Sequence, residues 1–322
     1  MTAAPRRLWH GDWAEQSILT PPSGNQIELA HGNQRAVVVE VGGGLREYTV
    51  DGKDVLDGYA RDEMCTVGRG QMLIPWPNRI RAGQYEWQGG QLQLDLSEPP
   101  RGNAIHGLVR WSNWTVESPR PDEAAASYLL HPSEGYPFAL SLRIEYALGD
   151  RGLTVSTSAT NVCGASCPFG AGSHPYLTVG TETIDTCTLT APGATRLETD
   201  QRMIPIGSTP VQGTEYDFRA PRPIGSTQLD TGYGDVERDA DGAARVTLED
   251  PASRRALTLW MDRSYPYLML FTGDSLPDES RRRRGLAVEP MTCAPNAFQS
   301  GDGLVTLEPG ETFEGSWGIA LG

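Results

Sequence analysis

The chain has 322 residues, of which 38% are hydrophobic and 21% charged, a composition typical of a globular protein with a substantial core. Its formal net charge of −14 argues against non-specific binding of nucleic acid, which requires a basic surface. No apolar run approaches the length that crosses a bilayer, and residues 1–15 carry two arginines without an apolar stretch after them. We therefore expect neither membrane binding nor a secretory signal, and the five scattered cysteines favour the cytoplasm over a disulfide framework.

Short segments with the pattern of β-strands follow one another along the chain. Residues 83–96 predict a hairpin that turns at Gly89-Gly90. Apolar and polar residues alternate from Leu140 to Leu148, which predicts a half-buried strand, and residues 153–162 repeat the pattern after a turn. Near the C-terminus we expect four more strands, within residues 245–250, 256–262, 267–274 and 285–292.

The pattern as a whole predicts an all-β fold. Glycine (37 residues) and proline (24 residues) punctuate the strands, and no amphipathic helix longer than two or three turns is recognisable. Many short strands with frequent turns indicate a large antiparallel β-sandwich. Because no linker or repeat divides the chain and residues 235–244 read as a surface loop, we expect one domain over residues 1–322.

Three candidate site residues occupy unusual local settings in a sequence without nucleotide-binding glycine loop, GxSxG or HExxH motif. Arg79 follows two prolines that bracket a tryptophan, and its guanidinium can bind hydroxyls or a carboxylate, or tie down a loop by an ion pair. His106 precedes a glycine and His174 precedes a proline, as is frequent in functional loops. Taken alone, each of the three is better explained by a structural role.

Glu289 is the residue that physical chemistry singles out most clearly. It follows Leu286, Ala287 and Val288, an apolar run that predicts a buried strand. A carboxylate there is costly unless it is hydrogen-bonded or functional, and burial raises its pKa toward the range useful for proton transfer. The alternative is an ion pair with one of the arginines at 281–284, which we instead expect to form a solvated charge cluster in a polar loop.

Five motifs, in this order and at these separations, resemble those of the aldose 1-epimerase (galactose mutarotase) family. They are NRI (78–80), IHGLVR (105–110), SHPYLT (173–178), LDTGYGD (229–235) and VEPMTCAPNAF (288–298). The forms PWPNRI and EPMTCAPNAF are most similar to the bacterial branch of YihR-like sequences, and the resemblance extends from about Arg35 to the WGI at 317–319. It implies a galactose mutarotase-like β-sandwich that needs no cofactor and no metal.

The resemblance also implies roles for five residues. Glu289 corresponds to the family's general base and His174 to its general acid, while sugar hydroxyls bind to Arg79, His106 and Asp230. Because the segment after Asp230 departs from the bulkier, more apolar sequence usual in the family, Asp235 is an alternative sugar ligand. The implied reaction is mutarotation, in which the base takes the C1 hydroxyl proton, the acid protonates the ring oxygen, and the opened pyranose closes on its other face.

Three alternatives stay open on the sequence alone. A glycoside hydrolase would use Glu289 and Asp230 as paired carboxylates, and a metalloenzyme would use His106, His174 and Glu289 as ligands. A non-catalytic carbohydrate-binding protein would have the same β-sandwich fold as the epimerases but would bind sugar without converting it. The resemblance implies a hexose substrate, by default glucose or galactose. Its YihR-like features also permit a modified or acidic sugar such as sulfoquinovose, or a sugar phosphate, whose anionic group the arginines at 281–284 would meet.

Overall fold

The computed structural model describes residues 20–321, so residues 1–19, where we expect no secretory signal, lie outside the described part. In chain order the first strands are β1 (Gln26–His31), β2 (Gln34–Val39), β3 (Leu45–Val50), β4 (Lys53–Asp54), β5 (Met72–Leu73), β6 (Arg79–Arg81), β7 (Gln84–Trp87), β8 (Gly90–Gln93), β9 (Asn103–Ile105), β10 (Thr115–Arg120), β11 (Glu123–Leu130), β12 (Leu140–Gly149) and β13 (Gly152–Asn161). They are followed by β14 (Cys167–Phe169), β15 (Gly172–Ser173), β16 (Tyr176–Leu177), β17 (Thr188–Thr190), β18 (Gly193–Thr199), β19 (Pro205–Pro210), β20 (Arg222–Pro223), β21 (Asp230–Val236), β22 (Ala244–Asp250), β23 (Arg255–Met261), β24 (Tyr267–Phe271), β25 (Leu286–Met291), β26 (Val305–Leu307) and β27 (Thr312–Leu321).

Helical structure in the described residues is confined to single turns. The one α-helix is α1 (Ala297–Ser300), and 3-10 turns lie at Pro99–Arg101, Ile184–Thr186 and Glu279–Arg281. None of these is long or apolar enough to cross a membrane. The prediction of an all-β fold is therefore confirmed.

Two large antiparallel sheets dominate the architecture. One has nine strands in the order β10-β11-β12-β13-β27-β23-β22-β17-β20. The other has eight, in the order β19-β18-β21-β24-β25-β15-β5, with β16 also paired to β25. A smaller sheet, β1-β2-β3-β4, and the pairs β6-β9, β7-β8 and β14-β26 complete the fold. Buried side chains from both large sheets belong to one hydrophobic cluster, as expected for a sandwich.

The predicted strand patterns are confirmed, with one shift at a turn. In β12 the side chains of Leu140, Leu142 and Ile144 are buried while Ser141 and Glu145 are exposed, because successive residues of a strand point to opposite faces. The hairpin of residues 83–96 turns at Gln88 and Gly89, one residue earlier than predicted. These two residues have φ angles of 50° and 79°, as a two-residue hairpin turn requires.

Strand β25 differs from the half-buried strands because all six of its residues are buried. It lies between β24 and β15 in the eight-stranded sheet, so both of its edges are paired, and the burial of all six residues shows that both of its faces are covered as well. The apolar run before Glu289 is thus a buried strand, as predicted. The loop that follows β21 carries the chain to β22 in the other large sheet, and residues 237–243 of the predicted surface loop lie in it.

Candidate active site

One pocket of about 240 Å³ contains all five residues to which the family resemblance assigns roles. Its polar and charged lining residues are Asn78, Arg79, Arg101, His106, Arg110, His174, Tyr176, Asp230, Ser275 and Glu289. They come from separate parts of the chain. Arg79 and Asp230 begin β6 and β21, Glu289 lies within β25, and His106 and His174 directly follow β9 and β15. The sequence motifs are thus far apart along the chain and adjacent in space.

Of the two aspartates proposed as sugar ligands, only Asp230 lines the pocket. Asp230 begins β21, where it pairs with Phe271 of β24. Burial raises the pKa of the Asp230 carboxyl, and the charge of Arg79 opposes this shift. Asp235 lies five residues further along the same strand, is exposed, and accepts a hydrogen bond from Thr195 Oγ1 at 2.9 Å. The geometry therefore favours Asp230 as the sugar ligand.

Glu289 and His174 face each other inside the pocket. Nε2 of His174 lies 3.4 Å from Oε1 of Glu289, and the two side chains are 7% and 3% exposed respectively. Within the described residues, His174 Nδ1 and Glu289 Oε2 are buried without a hydrogen-bond partner. Buried polar atoms without partners are costly in free energy and rare in native proteins. The hydrogen-bonding capacity of these two atoms is therefore unused within the described residues.

Burial shifts the pKa values of this pair in opposite directions. It raises the pKa of the Glu289 carboxyl well above its usual range, an effect that the charge of Asp230 reinforces and that of Arg79 opposes. Burial lowers the pKa of the His174 imidazole to about 3, and the nearby cation of Arg110 acts in the same direction. Both shifts favour the uncharged forms, and the two groups titrate as a coupled pair that shares one transferable proton.

His106 presents a hydrogen-bond donor to the pocket. Its Nδ1 accepts a hydrogen bond from the backbone N–H of Asn78 at 3.2 Å, which leaves the ring proton on Nε2. Burial lowers the pKa of the imidazole well below its usual value, so the ring is neutral. Its edge packs against His174, with 5.4 Å between the ring centroids. This arrangement suits donation to a sugar hydroxyl.

The ring proton on Nε2 of His106 also disfavours the metalloenzyme alternative. Ligand atoms of His106, His174 and Glu289 lie within 4.8 Å of one another, close enough to hold a metal ion. A metal at Nε2 of His106 would have to displace the proton that the Asn78 hydrogen bond places there. The donor set therefore fits a metal poorly, although its geometry is compact.

Arg79 combines the two roles that the sequence left open. Its Nε and Nη2 donate to the carboxylate of Glu98 at 2.9 Å and 3.0 Å. Arg101 and Asn103 donate to the same carboxylate, and although burial opposes the shift, the hydrogen bonds from Arg79 hold the pKa of Glu98 below its usual range. Nη1 of Arg79 has only a 3.4 Å contact with Asn78 Oδ1, so it can still donate to a ligand.

Three functional candidates carried no role in the sequence-based prediction. Glu98 gives no sequence signal, because its partners are recognisable only in the fold. Arg110 and Tyr176 lie inside the motifs IHGLVR and SHPYLT, but only the histidines of these motifs were assigned roles from the sequence. Arg110 lines the pocket but makes no ion pair with any residue in the range 20–321, and burial lowers its pKa.

Two of the four arginines at 281–284, Arg281 and Arg283, are not solvated as the sequence led us to expect, whereas Arg284 is exposed. Arg281 donates to the buried carboxylate of Asp57 at 2.9 Å, and Arg283 pairs with Asp274 at 2.8 Å and with Asp185. The expectation is wrong because acidic side chains from distant segments reach this loop. None of the four arginines lines the pocket, so the anionic group of a bound sugar would not meet them there.

Comparison with known proteins agrees with this geometry. The aldose 1-epimerase family profile matches residues 25–319. YihR of Escherichia coli K12 is 33% identical over 290 residues, which cover 90% of this chain and 91% of that protein. The maltose epimerase of Levilactobacillus brevis is 28% identical over 324 residues, covering 92% of each chain, and human galactose mutarotase is 27% identical over 282 residues, covering 80% and 79%.

Solved structures show the same fold. The GalM/aldose epimerase homologue from C. elegans superimposes with a TM-score of 0.82 at 20% identity, over 92% of this chain and 98% of that one. A putative aldose 1-epimerase from E. coli K12 gives a TM-score of 0.79 at 23% identity, over 92% and 99%. Together with the match of the family profile over residues 25–319, these comparisons show that the chain belongs to the aldose 1-epimerase family.

Proposed function

We propose that this chain interconverts the α and β anomers of a hexose by acid–base opening and closure of the pyranose ring, with residues 1–322 acting as one domain. The observation that carries the proposal is the buried pair of Glu289 and His174, with 3.4 Å between Oε1 and Nε2 and two polar atoms left for a ligand. The pocket of about 240 Å³ is small. Pockets for drug-sized ligands start at roughly 300 Å³, so its size suits a single sugar unit.

Ring opening needs the proton of the pair on His174 and the carboxylate of Glu289 ionised. Transfer across the 3.4 Å gap converts the neutral pair into this form, and the polar groups of a bound sugar replace the missing partners of Glu289 Oε2 and His174 Nδ1. Glu289 then takes the proton of the C1 hydroxyl, and the electrons of the O–H bond form the C1 carbonyl. The C1–O5 bond breaks toward O5, which receives the proton of His174. After rotation about C1–C2, the reverse transfers close the ring on the other face.

Three residues position the sugar in this proposal. Arg79 donates from Nη1, His106 donates from Nε2, and Asp230 accepts from a hydroxyl. Asp230→Asn should raise KM, whereas the matched variant Asp235→Asn, on the exposed end of the same strand, should leave KM and kcat unchanged. Equal effects of the two substitutions would remove Asp230 from the sugar site.

Arg110 favours a sugar that carries an anionic group over an unmodified hexose. The other two arginines of the pocket share the carboxylate of Glu98, whereas Arg110 has no ion-pair partner in residues 20–321. A partly buried cation without a counter-ion is unfavourable, and an anion on the ligand would supply the missing charge. Arg110→Met should therefore raise KM for a hexose 6-sulfonate, 6-phosphate or uronate more than for glucose. A uniform rise would leave glucose or galactose as the proposed substrate.

The two rival functions have direct tests. A glycosidase would release reducing sugar from an aryl glycoside, and a binding protein would bind sugar without accelerating anomer exchange. We favour catalysis because sugar binding alone does not require a carboxyl buried opposite an imidazole. The cytoplasm is the proposed compartment, in keeping with five free cysteines. Full activity in the presence of a chelator would exclude the metalloenzyme alternative.

A further inference from the structure

The orientation of the His174 side chain depends mainly on packing. A histidine that transfers protons at one ring nitrogen is commonly fixed by a hydrogen bond at the other, yet no other residue within 20–321 hydrogen-bonds Nδ1 of His174. Its ring is stacked on that of Tyr176, with 5.0 Å between centroids and 12° between planes. Gly68 also approaches closely, since a Cβ added there would lie 2.7 Å from Cδ2 of His174.

Tyr176 is itself held in place from several directions. Its hydroxyl donates to the backbone carbonyl of Val67 at 3.1 Å, and its own carbonyl accepts from the N–H of Asp57 at 2.8 Å. The guanidinium carbon of Arg69 lies 4.6 Å from the centre of the Tyr176 ring, within the range of a cation–π contact. The ring that supports His174 is therefore fixed at its edge, its backbone and its face.

Arg69 is fixed in turn by a buried carboxylate. Its Nε donates to the carbonyl of Asp57 and its Nη2 to Oδ2 of Asp57, both at 3.1 Å. The side chain of Arg69 is 3% exposed, and Asp57 also accepts from Arg281 at 2.9 Å. Arg69 does not line the pocket, so it has no direct contact with a ligand there.

We propose that Tyr176 and Arg69 are positioning residues for the proton transfer by His174. We call Asp57, Arg69 and Tyr176 together the Tyr176 platform. Its function is to keep Nε2 of His174 opposite Glu289 while Nδ1 stays free of protein partners. A displacement of about 1 Å at a reacting group lowers the rate on the order of 10²-fold. We therefore expect removal of the platform to lower kcat by up to about this factor. The kinetic part of this inference rests on the proposed mutarotation.

The kinetic test separates the ring of Tyr176 from its hydroxyl. Tyr176→Phe keeps the stacking surface and loses only the hydrogen bond to Val67, so its kcat should fall less than that of Tyr176→Leu, which removes the surface and should lower kcat by about 10- to 100-fold with little change in KM. Arg69→Met should also lower kcat, and Arg69→Lys should recover part of the loss. A Tyr176→Leu variant with wild-type kcat, or an equal loss in Tyr176→Phe, would overturn the proposal.

A second readout does not depend on catalysis. The chain has five histidines, so the imidazole signals can be assigned by NMR with a His174→Asn variant. Stacking on Tyr176 should shift the His174 ring protons upfield in the wild type and in Tyr176→Phe, and this shift should vanish in Tyr176→Leu. Loss of the shift without any mutarotation in the wild type would uphold the platform and reject the proposed function. An unchanged shift in a folded Tyr176→Leu variant would reject the platform.

Folding controls complete the design. Replacing Asp57 would leave the buried Arg69 and the partly buried Arg281 without their carboxylate, which is strongly destabilising, so Asp57 is left unchanged. The variants at Tyr176 and Arg69 should show wild-type β-sheet circular dichroism before their kinetics are compared. Removal of the Arg69 cation should also raise the pKa of His174, because that cation disfavours the protonated imidazole. The acid limb of the kcat profile should move to higher pH in Arg69→Met, and an unmoved limb would count against the proposal.

Discussion

Replacing Glu289 by Gln should abolish activity and make the protein progressively more stable, relative to the wild type, as the pH rises above 4.5. The Glu289 side chain is 3% exposed, its Oε2 has no hydrogen-bond partner in the described chain, and burial raises its pKa well above the usual range. Below pH 4.5 the carboxyl is protonated in both the folded and the unfolded states, so it carries no ionisation penalty. As the pH rises, the unfolded state ionises first and gains hydration, and the folded state loses stability relative to it.

The magnitude follows from proton linkage. Each pH unit between the unfolded and the folded pKa of Glu289 lowers the free energy of unfolding by about 1.4 kcal/mol in the wild type, and glutamine does not titrate. The stability of Glu289→Gln minus that of the wild type should therefore increase by about 1.4 kcal/mol per pH unit above the unfolded pKa, up to the folded pKa. Any constant effect of the amide cancels in this comparison.

Urea unfolding at several values between pH 4.5 and pH 7 measures this difference directly. The exposed residue Glu134 offers a matched control, and Glu134→Gln should give no such slope. A flat or falling difference for Glu289→Gln would mean that the carboxyl is already ionised in the folded state. The account of a neutral, proton-sharing pair with His174 would then be wrong.

Three further predictions concern the same pocket. His174→Asn should lower kcat by about 10²- to 10⁴-fold in the anomer-exchange assay, and a change confined to KM would reassign this residue to binding. Glu98→Gln removes the carboxylate that holds Arg79, so it should raise KM and, because Glu98 is only partly buried, lower the free energy of unfolding by about 1–3 kcal/mol; unchanged urea unfolding would contradict a stabilising ion pair. Because burial lowers the pKa of His174 to about 3, the acid limb of kcat/KM should lie well below pH 6.5, and a limb at pH 6.5 would show a solvated imidazole.

Local patterns were sufficient to predict the strands and the most unusual carboxylate. The alternation from Leu140 to Leu148 needs only the period of a strand, and the apolar run before Glu289 indicates burial without knowledge of its neighbours. The family resemblance was needed to connect Arg79, His106, His174 and Asp230, because each was ambiguous in its own segment. The assembly of these motifs in one pocket is a property of the fold.

Other features depend on contacts between segments that are distant in the sequence. Arg281 and Asp57 are 224 residues apart, so nothing local distinguishes a buried arginine from a solvated one in the run at 281–284. The pairing of Arg79 with Glu98 and the stacking of Tyr176 on His174 likewise require the positions of loops. Local composition indicates what a side chain can do, while its partners are set by the tertiary structure.

The central claim is that Glu289 and His174 interconvert the anomers of a sugar, and anomer exchange tests it most directly. Freshly dissolved α-D-glucose and α-D-galactose would be followed by polarimetry, and sulfonated, phosphorylated and carboxylated hexoses by NMR exchange, with wild type, Glu289→Gln and Asp235→Asn in parallel. We expect wild type and Asp235→Asn to accelerate the exchange of at least one sugar equally and Glu289→Gln to leave it at the uncatalysed rate. Wild-type exchange in Glu289→Gln, or no acceleration of any of these sugars by the wild type, would contradict the account.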